Sequence, residues 1–95
     1  MSPKNKKKLN IIRVKLDKLD NKLLSLIKKR SNLVKEVLKL KEFKKEIVDK
    51  KRINSILNKI SKRSKKLNID PKITKRIWKN MIWSFIDYER RNFKK

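Results

Sequence analysis

The chain has 95 residues and carries 32 lysines and arginines against 9 acidic residues, a formal net charge of +23. It has no histidine, cysteine or glycine, which removes the usual general base, the thiolate nucleophile, the nitrogen and sulfur metal ligands and the glycine-rich phosphate loop. So large a positive field draws in small anions, yet lysine outnumbers arginine 25 to 7 and the cations spread over every segment, a pattern of compositional drift more than of a gathered nucleic-acid patch.

This length implies a single domain, 1–95, near the lower limit for a self-sufficient core. Residues 1–6 are polar and expected to be disordered. The N-terminus lacks the apolar core of a signal peptide, no apolar run approaches a membrane span, and the absence of cysteine fits a reducing compartment. A soluble, cytoplasmic protein is expected.

From Lys7 to Phe43 nothing breaks a helix, because the only prolines are Pro3 and Pro71. Leu16, Leu19, Leu23, Leu26, Leu33 and Val37 recur there in steps of three and four, the stripe of a long amphipathic helix. The phase fails around Lys44–Val48, which marks a short connection. Asp49 is then a candidate N-cap for a second helix with Ile53, Ile56, Leu57, Ile60 and Leu67 on its buried face. Asp70 followed by Pro71 starts a third. Its apolar face holds Ile73, Ile77, Trp78, Met81, Ile82, Phe85 and Ile86 and runs toward Phe93. No alternating strand pattern occurs, so the fold class is all-α, with one long N-terminal helix and two shorter ones.

A helix over 7–43 is about 55 Å long, whereas two helices of about 20 residues span about 30 Å each. They cannot sheath it, and the apolar remainder calls for a protein partner. A homodimer through the first helix is the economical solution.

Several charged residues fall where charge is costly. Arg30 fills the one gap in the leucine stripe, and Lys41 continues the row of Val34 and Val37. Eleven residues apart, they share a helix face and are separated by about 16 Å, so long side chains leaning together can hold a small dianion. For Lys41 alone, a cation snorkelling from the seam is the plainer reading. Arg13 lies about 25 Å from Arg30 and faces elsewhere; it reaches the same ligand only from a second chain, and read alone it pairs with Asp17 at i+4. Glu89 continues the row Trp78, Ile82, Phe85. A partly desolvated carboxyl there can hold a proton and donate a hydrogen bond, although a salt bridge to a lysine is the plainer reading. Asp49 and Arg52 have capping and solvation as their plain roles.

With these blocks in place the chain resembles the all-helical, type II (AroQ-type) chorismate mutases. The residues that carry the resemblance are R-x-x-L-D-x-L-D-x-x-L-L-x-L-I-x-x-R at 13–30, Lys41, D-x-x-R at 49–52, I-D-P at 69–71 and W-x-x-M-I-x-x-F-I-x-x-E at 78–89. The resemblance implies an intertwined homodimeric helical bundle with active sites shared between chains. It implies the Claisen rearrangement of chorismate to prephenate in the shikimate pathway to phenylalanine and tyrosine, with no cofactor and no metal. Arg30 would grip one substrate carboxylate, Arg13 of the other chain another, and Lys41 the ether oxygen. Glu89, in protonated form, would donate to the same oxygen. Asp49 and Arg52 would line the pocket near the ring hydroxyl and a carboxylate. Ile53 and Phe85 stand where many members have glutamate and serine. Bulk at these positions resembles a branch that includes the isochorismate pyruvate lyases of salicylate synthesis, the alternative function. A basic helical nucleic-acid-binding protein is a second alternative; neither nucleic acid nor membrane is the expected partner.

Overall fold

A computed structural model describes residues 1–94, and every regular element among them is helical. Helix α1 spans Pro3–Leu40, a single 3-10 turn covers Lys44–Glu46, α2 spans Lys50–Lys66 and α3 spans Pro71–Asn92. The three-helix, all-α expectation is met. No helix among the described residues is long and apolar enough to cross a membrane.

Helix α1 starts four residues before the expected Lys7 and ends three before Phe43. The reason for the early start is Ser2, whose hydroxyl accepts the Asn5 N–H at 3.2 Å while Pro3 occupies the first helical position. This is the cap-plus-proline signal read at Asp70–Pro71, here overlooked inside a polar tail. Beyond Leu40 the chain turns at Phe43, whose N–H donates to the Glu46 carboxylate at 3.0 Å.

The other two starts are as expected. Asp49 accepts the Arg52 N–H and Asp70 the Lys72 N–H, each at 3.0 Å. Helix α2 is stopped by Asn68, which lies two residues past its last turn and has φ of 57°. Asn68 N–H bonds Lys65 O and Ile69 N–H bonds Ser64 O. That pair of bonds is the left-handed stop usually made by glycine, and asparagine is the best substitute a glycine-free chain offers.

The chain divides into two compact units, Met1–Leu33 and the remainder from Val34. In the first, Leu9, Arg30 and Ser31 are half-buried and every other residue is more exposed. In the second, α2 and α3 pack around Ile47, Ile82 and Ile86, with Val48, Ile53, Ile56, Leu57 and Phe93 against them. Ser64 and Thr74 add a buried 2.7 Å hydrogen bond between the helices, and Ser64 also donates to Ile60 O. Both hydroxyls are thereby satisfied, as burial requires. Three expected core residues are corrected: Leu67, Ile73 and Ile77 are 65%, 55% and 53% exposed. Leu67 falls on the cap after the last turn of α2, and Ile73 and Ile77 point off the seam that Thr74 and Ile82 define.

Candidate active site

Two groups that the sequence singled out separately meet in the second unit. Lys41 follows the last residue of α1, and its N–H bonds back to Leu38 O. Glu89 stands one helical step beyond Phe85 on the apolar row of α3. The Lys41 ammonium donates to Glu89 Oε2 at 2.6 Å, with the two side chains only 17% and 8% exposed. Lys41 therefore does not snorkel, and that plain reading is corrected. The plain reading of Glu89 as a lysine's partner is the one observed. Desolvating two such charges costs several kcal/mol each, which only close, well-oriented contact offsets. An arrangement of this kind is more easily explained by chemistry than by stability.

Lys41 also lines an open cleft of about 650 Å³ together with Glu46, Val48, Asp49, Lys50 and Lys51. Lys50 and Lys51 bring to it the start of α2, whose first turn reads Lys50, Lys51, Arg52 and contains no acidic residue. Cations there oppose the helix dipole by about 0.3–1 kcal/mol each. The Asp49 cap offsets part of that cost, and an anion resting in the cleft would offset more. Lys50, Lys51, Glu46 and Val48 escaped the sequence reading. The run of cations directly after an N-cap was the available signal, hidden by lysine in every other segment.

The remaining candidates are placed as follows. Arg52 is exposed on α2, Ile53 is half-buried against the small apolar core, and Phe85 is half-buried on α3. Arg13 and Arg30 belong to the first unit. Arg30 is half-buried although Leu26 and Leu33 beside it are 59% and 60% exposed. A guanidinium more sheltered than its neighbouring leucines inverts the usual order of burial. Arg13 is exposed, and among the described residues the ion pair expected between it and Asp17 is absent. On one helix, 17 residues put Arg13 about 25 Å from Arg30.

Comparison with known proteins gives two matches. The family model described as chorismate mutase type II matches residues 12–90. A chorismate mutase of Methanocaldococcus jannaschii is 38% identical over 76 residues, covering 79% of this chain and 77% of that protein. No solved structure matches the chain.

Proposed function

The chain belongs to the chorismate mutase type II family, and we propose that its catalytic site is built on Lys41 and Glu89, with Arg30 of one copy and Arg13 of a second. The activity is that of an isomerase, the rearrangement of chorismate to prephenate. One C–O bond breaks while one C–C bond forms in a single cyclic shift of electrons. No proton or electron leaves the substrate, so a chain without histidine or cysteine is no worse equipped for it. What the protein supplies is a folded substrate conformation and donors aimed at the oxygen where charge develops.

Each residue then has a task. Arg30 forms a two-pronged contact with one carboxylate, and Arg13 from the second copy holds the other. Lys41 places its ammonium on the ether oxygen, which becomes negative as the C–O bond stretches. Glu89 donates to the same oxygen. To do so it must carry a proton once substrate takes the place of its ion pair with Lys41, because a carboxylate there would repel the charge that Lys41 attracts. Asp49 and Arg52 attend the ring hydroxyl and a carboxylate, and Ile53 and Phe85 form apolar walls. The observation that carries this reading is the 2.6 Å contact between Lys41 and Glu89. Two groups assigned to one oxygen have to converge, and across 48 residues of sequence these do.

A second copy is part of the same reading. Helix α1 buries no residue, and Leu16, Leu19, Leu23, Leu26 and Leu33 are each more than half exposed. Covering the half of each that is exposed gains about 1 kcal/mol, against a core of three buried apolar residues among those described. The homodimer supplies that cover and brings in the Arg13 that the parent chain cannot. The setting is cytoplasmic, in keeping with a cysteine-free chain.

The test is turnover of chorismate by the purified protein in the presence of a chelator, with the product identified and isochorismate assayed beside it. Prephenate as the main product is the expected result. Salicylate and pyruvate from isochorismate, with chorismate untouched, would move the chain to the lyase branch. Inertness toward both acids would remove the catalytic reading.

A further inference from the structure

We infer that a cavity between the last turns of α1 and the C-terminal turns of α3 binds a small aromatic carboxylate that bears no ammonium group. The cavity measures about 370 Å³, within the range of small-molecule sites. It shares no lining residue with the cleft at Lys41 and includes none of the residues assigned to the rearrangement.

Its chemistry is that of a split surface. Leu38, Tyr88 and Phe93, all half-buried, give it an apolar and aromatic wall, while Lys35 and Lys94 bring ammonium groups beside Lys39, which already has a partner. Among the described residues, no Asp or Glu lines it. Lysine alone would mean little in a chain this basic, so the aromatic wall decides. The chain has six aromatic residues, and its single tyrosine and one of its three phenylalanines face this cavity. Asn92, also in the lining, is tied back to α3 by donating to Tyr88 O at 2.8 Å, which holds the wall to the helix. A flat ring stacks on or against Tyr88 and Phe93 in offset or edge-to-face geometry, and a carboxylate on a short tether meets the lysines. The cations of Lys35 and Lys94 repel an ammonium group, so an amino acid fits poorly where an amine-free acid fits well.

The experiment titrates 3-phenylpropionate into the full-length protein, by calorimetry and by the NMR ring resonances of Tyr88. One saturable site per chain that moves the Tyr88 signals is expected. Propionate, which lacks the ring, should not saturate, and phenylalanine, which adds the ammonium, should bind about tenfold more weakly or worse. The double variant Lys35→Glu with Lys94→Glu should weaken binding about tenfold and leave chorismate turnover unchanged. The charge-matched control Lys62→Glu with Lys75→Glu, on exposed positions elsewhere, should leave affinity within about twofold, since distant exposed charges are screened. Absence of saturable binding, equal losses in the two double variants, or phenylalanine binding as tightly as 3-phenylpropionate would each overturn the inference. So would binding that disappears in Arg30→Ala but survives in the Lys35 and Lys94 variant, because the acid would then occupy the substrate site.

Discussion

Lys41 Nζ and Glu89 Oε2 lie 2.6 Å apart, both largely withdrawn from water, although 48 residues separate them in the chain. Neither is needed to complete a helix, and the hydrophobic core is built from other residues. Removing one partner strands the other. Lys41→Ala should therefore destabilise the fold by about 3 kcal/mol and lower kcat by about 10²–10³. The double change Lys41→Met with Glu89→Leu should regain most of the stability and none of the activity. Denaturant melts and steady-state kinetics on the three proteins check this; a stable, active Lys41→Ala would separate the pair from the chemistry.

Glu89 tests the second donor. Glu89→Gln keeps a hydrogen-bond donor of the same shape at a position 2.6 Å from Lys41 in the parent, and should keep turnover within about tenfold, whereas Glu89→Ala should lose about 10²–10³. The measurement is kcat for both proteins. Equal turnover in the two variants would take Glu89 out of the reaction.

Arg30 tests the substrate clamp. Arg30→Ala should lose about 10²–10³ of its turnover while its helical circular dichroism stays that of the parent. Helix α1 gains an alanine, the best helix former, and the apolar seam loses a charge. Near-parental turnover would assign Arg30 to some other role.

The leucine stripe tests association. Leu19→Asp with Leu23→Asp places two carboxylates on a face that the proposed dimer buries. Sedimentation should show the parent as a dimer and the variant as a monomer with little activity. A monomeric parent would leave the exposed leucines to another partner.

Much of this was legible in the residues themselves, for identifiable reasons. The cap at Asp49 and the Asp70–Pro71 start rest on local chemistry, which sequence displays directly. The positions of Arg30, Lys41 and Glu89 stood out because a charge on an apolar row is visible wherever the row is. Their partners were not visible. Which of 25 lysines Glu89 meets depends on how α3 lies against the end of α1, and no local rule supplies that. Ile73, Ile77 and Leu67 were misassigned because a wide apolar face does not reveal which edge of it is covered. The early start of α1 was missed because Ser2 and Pro3 sit in a stretch whose lysines read as solvated tail.

Mixing two inactive variants shows whether two copies complete each site. Arg13→Ala and Arg30→Ala homodimers are each expected to be inactive, and both are combined under conditions of proven subunit exchange. Because Arg13 and Arg30 serve different sites from one chain, a mixed dimer keeps one intact site, and equal mixing makes about half of the dimers mixed. Recovery to about a quarter of parental turnover is expected. Turnover that stays at the level of the separate variants after exchange would contradict it.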